Sequence, residues 1–383
     1  MMNNSKNNRT DFLQGNIACA EGAIMAGCKF FAGYPITPAS EIAHHLSKRM
    51  FEVDGTFIQT EDEIAAIANI VGASWGGAKS MTATSGPGIS LMQENIGLAV
   101  ATETPCVIVN VQRGAPSTGS PSVHLQGDML QAKYGSQGDY QIIALAPASP
   151  QEMFDFTIKA FNLAEQFRTP VFVLSDSLVG HMRERVTFPQ QEELILSERK
   201  KLDNYQGIHQ KIFLDEEVAP MPVFGKGLKA NITGSTHKED GFRNVSDPKI
   251  MDNAIKKLTN KILKHKEEII EINEQEIDDA EVAILSYGLT SRAVLETVKI
   301  ARKNGIKAGS FRPITVWPFP EEEVEKLSRR VKTIIVCENN LGQLFPFVKS
   351  AACEHCKVIS LPPKVLGTLY YPEEILEKIK EVI

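Results

Sequence analysis

The stretch "KSMTATSGPGISLMQENIGLAVATETPCVIVNVQ", residues 79–112, decides the fold class. Ser80–Thr84 reads as a short strand and Ser85-Gly86-Pro87-Gly88 as a Gly/Pro turn. A helix from about Ile89 to Ala101 follows, and then "PCVIVNVQ" (105–112), an apolar run of strand length. An unbroken apolar strand is buried on both faces, which suits a parallel sheet covered by helices.

The same alternation extends both ways. Upstream, 16–27 reads as a helix of small residues closed by Gly27, 28–32 as a strand and 40–50 as a helix, with Ser40 or Thr37 available as N-cap. Thr56–Gln59 reads as a short strand and 61–77 as an Ala-rich, tightly packed helix. Downstream, 150–167 is helical and "TPVFVLSD" (169–176) is another buried strand. Residues 15–190 therefore form an α/β domain with a parallel sheet. Residues 1–14 are polar and read as a flexible tail, and 191–250 lose periodicity and read as a connecting segment. Ile255, Leu258, Ile262, Ile269 and Ile272 place one long amphipathic helix over 251–273. Strands at 281–288, 307–313, 331–339 and 357–361, alternating with helices at 290–304, 320–329, 342–352 and 372–381, make 251–383 a second, smaller α/β domain.

Composition narrows the function. The 383 residues are 43% hydrophobic and 23% charged, an ordinary globular balance. A net charge of −6 with no basic stripe argues against nucleic acid. No apolar run is long enough for a membrane span. The N-terminus lacks the apolar core of a secretory signal. The six cysteines are scattered in apolar surroundings, as expected of reduced thiols in the cytoplasm.

Three features carry chemistry. "GYPITPAS" (33–40) brackets Ile36 and Thr37 with prolines that stiffen the chain where a strand ends, so the Thr37 hydroxyl and nearby amides can point into the crevice where open parallel sheets bind ligands. Glu61 and Glu63 open a helix of small residues, and acids there suit the helix dipole. Arg113 follows the buried strand 105–112. Cys353 and Cys356 make the one Cys-x-x-Cys pair, two thiolates where a cluster usually needs four.

In combination, the Glu at a helix start, Gly72 nine residues after Glu63, and the turn Thr84-Ser85-Gly86-Pro87-Gly88 resemble the pyrimidine-binding domain of thiamine-diphosphate enzymes. "GYPITPASE", "VNVQRGAPSTG", "RTPVFVLSDSLVGHMRE", "FRPITVWPFPEEEV" and "ENNLGQL" resemble the α chain of 2-oxoacid:ferredoxin oxidoreductases over most of the sequence. "GAPSTGSPSVHLQGDMLQAKYGSQGD" (114–139) is most similar to the 2-oxoglutarate branch.

The resemblance implies a thiamine-diphosphate pyrimidine-binding domain followed by a transketolase C-terminal-like domain. One Glu would hydrogen-bond the cofactor's pyrimidine ring. The spacing to Gly72 favours Glu63, and the strand end at Gln59 favours Glu61; we read Glu63 as the acid and Glu61 as its alternative. Tyr34, Pro35, Ser85 and Gly86 would line the cofactor. Thr37 and Arg113 would hold the oxoacid carboxylate. Ser117 and Thr118, with His124 or Lys133, would reach a distal carboxylate.

No Gly-Asp-Gly occurs, since "QGDML" and "QGDYQ" lack the second Gly. The diphosphate, Mg²⁺ and [4Fe-4S] clusters are therefore expected on partner chains: a β subunit, with γ and δ ferredoxin-like chains as further candidates. The reaction implied is oxidative decarboxylation of 2-oxoglutarate with coenzyme A, giving succinyl-CoA, CO₂ and reduced ferredoxin. The pyruvate or branched-chain branch, and a non-redox thiamine-diphosphate decarboxylase, are the alternatives.

Overall fold

The computed structural model describes residues 9–202, 211–213 and 218–383. Its strands are β1 (Arg9–Gln14), β2 (Phe30–Gly33), β3 (Thr56–Gln59), β4 (Ser80–Thr84), β5 (Cys106–Gln112), β6 (Ile143–Leu145), β7 (Pro170–Asp176) and β8 (Arg183–Phe188). They continue with β9 (Ile272–Gln275), β10 (Val282–Ser286), β11 (Ala308–Pro313), β12 (Thr315–Trp317), β13 (Thr333–Cys337) and β14 (Lys357–Leu361). Seven of them form a sheet in the order β12-β6-β7-β5-β4-β2-β3 and five form a second, β14-β13-β10-β11-β9. Within these two sheets pairing is parallel except where β12 meets β6 and β9 meets β11, and β1 and β8 form a separate antiparallel pair. The chain is thus α/β with parallel-dominated sheets.

Strand β5 shows why the larger sheet needs helices on both sides. All seven of its residues are buried. Cys106 and Ile108 enter one apolar core, with Ala66, Ile67 and Ile70 of the helix Glu63–Trp75 and Ile89, Met92 and Ile96 of the helix Gly86–Ala101. Val107, Val109 and Val111 enter the other, with the helices Gly15–Met25, Ser40–Glu52 and Pro150–Phe167. The period-2 alternation of a strand distributes its side chains between the two cores. Each fully buried aliphatic side chain is worth roughly 1.5–3 kcal/mol.

Three expectations change. The helix foreseen over 251–273 is Pro248–Leu263, then a short turn of helix at Lys266–Ile269, then β9. Ile269 is fully buried, while Ile272–Gln275 pairs with β11 and satisfies its edge backbone groups, which a continued helix would leave unpaired. The tail foreseen through residue 14 is shorter, because Arg9–Gln14 pairs antiparallel with β8. The turn Gly86-Pro87-Gly88 belongs to the first turn of its helix, where Pro at N1/N2 lacks an N–H the helix would not use.

Strand β12 ties the two sheets together. It comes from the C-terminal part of the chain yet completes the first sheet beside β6. Trp317 is 1% exposed and donates its indole N–H to Met129 O at 2.9 Å. Its ring meets Tyr134, Phe319 and Phe347, so one aromatic cluster joins both units. Trp317→Ala is expected to lower unfolding stability by about 3–5 kcal/mol. Chemical denaturation of the purified chain would show this as an earlier midpoint.

Candidate functional site at the strand ends

The C-terminal ends of β2, β4 and β5 lie side by side and carry the predicted residues. The loop after β2 is pinned from below by Asn16, fully buried at the start of helix Gly15–Met25. Its side-chain N–H donates to Pro38 O (2.7 Å) and to Glu41 Oε2 (3.0 Å). Pro35 is half-buried, while Tyr34 and Thr37 are exposed.

Glu63 opens the helix Glu63–Trp75. Asp62 takes the N-cap role by accepting from Ala65 N at 2.8 Å, which frees the Glu63 side chain to turn inward. Glu63 is 4% exposed and accepts a long hydrogen bond from Thr84 Oγ1 at 3.4 Å. A Cβ at Gly88 would lie 2.7 Å from Glu63 Oε1 and 2.0 Å from Thr84 Oγ1, so this carboxyl needs glycine opposite it. Burial raises its pKa above the ordinary value, against the lowering influence of Thr84 and Arg113. Glu61, two residues earlier, is exposed to solvent.

Arg113, at the end of β5, is 6% exposed and crosses between loops. Nη1 donates to Thr37 O and Nη2 to Thr118 O, both at 2.7 Å. Its Nε is buried without a partner, as are Ser85 Oγ and Asn110 Oδ1. Ser85 is the N-cap of helix Gly86–Ala101 but makes no capping bond. Asp128 closes the floor: Asn110 donates to its Oδ2 at 3.0 Å, and a Cβ on Gly86 would lie 2.9 Å from that oxygen. Burial raises the Asp128 pKa, and the Arg113 charge opposes that rise.

Thr37, Glu63, Ser85, Gly86, Arg113 and Thr118 thus lie at one edge of the sheet, where Arg113 bonds the carbonyls of Thr37 and Thr118, Glu63 bonds Thr84 beside Ser85, and Gly86 faces Asp128. Ser117 and Thr118 sit on an exposed loop, Ser117 with a φ of 58°. His124 is buried, its Nδ1 3.9 Å from Asp176 Oδ1. Lys133 bonds Gln141 Oε1 and Tyr140 O and lies 6.0 Å from the Trp317 ring; burial lowers its pKa to about 8. Neither His124 nor Lys133 contacts Arg113, and Lys133 is committed to the junction of the sheets.

Asn16, Asn110, Gln112, Gln126 and Asp128 escaped the sequence reading. Their only signal is a polar residue inside an otherwise apolar pattern, such as Asn110 in "VIVNVQ".

The residues fit the pyrimidine half of thiamine diphosphate. A buried acid stands at the same strand ends as orphaned buried donors and acceptors, and two glycines let the helix start close on Glu63 and Asp128. No group of three or more His, Cys, Asp or Glu suited to a metal ion occurs among the described residues. A separate cavity of about 410 Å³, lined by Glu103, Phe213, His237 and Lys257, lies at the opposite edge of the sheet, where β5 begins. Among the described residues no helix is long and apolar enough to cross a membrane.

Comparison with known proteins gives the family. Residues 21–257 match the family described as "Pyruvate flavodoxin/ferredoxin oxidoreductase, thiamine diP-bdg", and residues 280–375 match "Pyruvate:ferredoxin oxidoreductase core domain II". The chain is 49% identical over 369 residues to 2-oxoglutarate synthase subunit KorA of Methanothermobacter marburgensis, covering 96% of this chain and 98% of that one. It is 50% identical over 367 residues to the subunit of the same name from Methanocaldococcus jannaschii, with the same coverage. Ketoisovalerate oxidoreductase subunit VorB of Methanothermobacter thermautotrophicus is 35% identical over 383 residues, covering 97% and 98%.

Among solved structures, a 2-oxoglutarate:ferredoxin oxidoreductase from Magnetococcus marinus, with 2-oxoglutarate, coenzyme A and succinyl-CoA bound, superposes with a TM-score of 0.91. It is 33% identical, and the match covers 97% of this chain and 65% of that one. A split-gene transketolase shares the fold at a TM-score of 0.56 and 10% identity. The chain therefore belongs to the pyruvate flavodoxin/ferredoxin oxidoreductase family, carrying its thiamine-diphosphate-binding domain followed by its core domain II.

Proposed function

We propose that this chain is the α subunit of a 2-oxoglutarate:ferredoxin oxidoreductase, active only with a β subunit. The observation that carries this reading is the buried Glu63 beside Arg113 at one strand-end crevice, in a chain about half identical to 2-oxoglutarate synthase subunits. The lower identity to the ketoisovalerate subunit favours 2-oxoglutarate over a branched-chain oxoacid. In the net reaction 2-oxoglutarate loses CO₂, the succinyl group passes to the coenzyme A sulfur, and two electrons leave through [4Fe-4S] centres to ferredoxin. The division of the chain into a domain that runs from β1 to residue 190, a connecting segment 191–250 and a domain 251–383 is part of the same reading, as is a cytoplasmic setting for six free thiols.

Thiamine diphosphate, when bound, supplies a nucleophilic carbon for the keto group and accommodates the electron pair that decarboxylation leaves. Glu63 is the residue that grips the pyrimidine. A carboxyl with a raised pKa shares its proton readily with a weakly basic ring nitrogen, and burial keeps water from competing. Tyr34, Pro35, Ser85 and Gly86 line that ring. Arg113 receives the oxoacid carboxylate with the Thr37 hydroxyl beside it; its two bonds to backbone carbonyls hold the guanidinium in place and leave Nε unspent. Ser117 and Thr118, on the exposed loop after Arg113, take the distal carboxylate in this reading.

A β subunit supplies the Mg²⁺ and diphosphate half. The uncovered outer face of helix Glu63–Trp75, where Ile64, Ala68 and Gly72 are exposed beside a shallow groove, supports a partner at this edge.

Co-expression with a candidate β subunit, assayed on several 2-oxoacids with coenzyme A and a low-potential dye, tests the reading. The highest kcat/KM is expected for 2-oxoglutarate. Preference for a branched-chain oxoacid, or decarboxylation without dye reduction, overturns it.

Three variants test the roles. Glu63→Gln is expected to cut turnover by at least about 100-fold in a complex that still assembles. Its stability should follow the sign of the pKa shift. A carboxyl whose folded pKa is raised costs stability once pH rises above its unfolded value, so the Gln variant should gain in thermal midpoint on going from pH 4 to pH 8 relative to the parent. In Gly88→Ala the new methyl displaces Thr84 and Glu63, and calorimetric titration should show at least about tenfold weaker thiamine diphosphate binding. Arg113→Lys loses the planar fork and should raise KM for 2-oxoglutarate by about tenfold or more in steady-state assays.

A further inference from the structure

Arg113 opens a segment that leaves the candidate site and returns to it through the second sheet. Gly114 N donates to Val123 O at 2.8 Å and to Ser120 O at 3.1 Å, so residues 114–123 form a closed loop. Thr118, within the loop, supplies the carbonyl that holds Arg113 Nη2. An exposed loop tied only at its own base would not hold a guanidinium in one orientation. What holds this one lies immediately downstream.

Gln126 is fully buried, and its side-chain amide is saturated. Nε2 donates to Tyr287 O (3.1 Å) and Asp176 Oδ2 (3.3 Å), while Oε1 accepts from Asn339 N (2.9 Å) and Thr290 Oγ1 (3.2 Å). Its backbone is bound as well: N donates to Asn339 O at 2.9 Å and O accepts from Asn340 Nδ2 at 2.7 Å. Asp176 ends β7, Tyr287 follows β10 and Asn339 follows β13, so Gln126 lies where the C-terminal edges of the two sheets face each other.

Neighbouring residues extend the seam. Gln343 donates to Gly127 O at 2.6 Å and accepts from Leu130 N at 3.1 Å, and Gly367 packs against Val123 and the His124 carbonyl. Two residues past Gln126, the chain rejoins the site floor: Asp128 N donates to Gln112 Oε1 at 3.1 Å, and the Asp128 carboxylate accepts from Asn110. Both ends of the Arg113 loop are therefore fixed, one to β5 and the other to the five-stranded unit.

We propose that Gln126 is a positioning residue, through which the C-terminal α/β unit sets the loop 114–123 and aims the Arg113 guanidinium at the oxoacid. This rests on the reading of Arg113 given above. The C-terminal unit then acts on oxoacid binding although, among the described residues, none of its groups accepts a hydrogen bond from Arg113.

The test uses the assembled α/β complex with Gln126→Ala, Asn340→Ala, the double variant and Arg113→Lys. Each is assayed for KM and kcat with 2-oxoglutarate and for KM with coenzyme A, alongside a thermal midpoint. Either single seam variant is expected to lower kcat/KM for 2-oxoglutarate about tenfold, mainly through KM, with KM for coenzyme A changed less than about twofold. The double variant should lose little more than the worse single, because both changes break one connection. Asn340→Ala keeps the Gln126 side chain and, of that residue's partners, removes only the bond to its backbone carbonyl, so it decides the matter if Gln126→Ala does not fold. Lower thermal midpoints with unchanged KM for 2-oxoglutarate would make the seam purely structural and overturn the proposal. If Arg113→Lys also leaves that KM unchanged, the Arg113 reading itself fails and takes the proposal with it.

Discussion

A buried guanidinium has to be satisfied, and the way Arg113 is satisfied organises the site. A cation this far from water requires acceptors in fixed places. Arg113 finds them in the carbonyls of Thr37 and Thr118, which belong to two loops 76 and 5 residues away in sequence. The proline-braced loop after β2 and the loop after β5 are thereby held to one guanidinium whose charge reaches the Glu63 carboxyl. The same charge lies close enough to temper the burial of both Glu63 and Asp128. One cation between two buried acids is a compact way to keep a polar crevice stable in an apolar sheet edge.

The sheet supplies the rigidity that such a crevice needs. Parallel strands present their C-terminal ends along one edge, and side chains on the following turns converge there without long loops. Glycines at 86 and 88 let the helix start press against Asp128 and Glu63, where any side chain would intrude. The second sheet contributes from a distance. Strand β12 is lent to the first sheet, Trp317 anchors the junction, and Gln126 fastens the end of the Arg113 loop across it. An aromatic cluster and a hydrogen-bonded seam are among the contacts that couple the two units. Their relative placement therefore belongs to the site as much as to the stability of the fold.

Local patterning carried much of this protein. The unbroken apolar run 105–112 announces a strand buried on both faces. Gly-Pro-Gly after a strand marks a helix entry at a sheet edge, and two prolines around Thr37 mark a braced turn. Those features depend on residues near one another in the chain, and they place Thr37, Ser85, Gly86 and Arg113 at strand ends without any structure. The pair Glu61 and Glu63 could be narrowed but not separated by spacing, because two residues at a helix start differ only in which way the first turn faces.

Tertiary structure decided what local pattern could not. Asp62 as N-cap turns Glu63 inward and leaves Glu61 in water. Ile272 joins an edge strand, because β11 offers hydrogen bonds that a lone helix period cannot foresee. Asn110, Gln126 and Asp128 matter through partners 18 to 214 residues away, and Lys133 is spent on Gln141 and Tyr140 at the sheet junction. Sequence alone determined the α/β class, the strand ends and the chemical types that gather there. Which acid is buried, which amide is saturated and which lysine is already committed follow only from long-range packing, because desolvation and hydrogen-bond satisfaction are properties of the assembled neighbourhood.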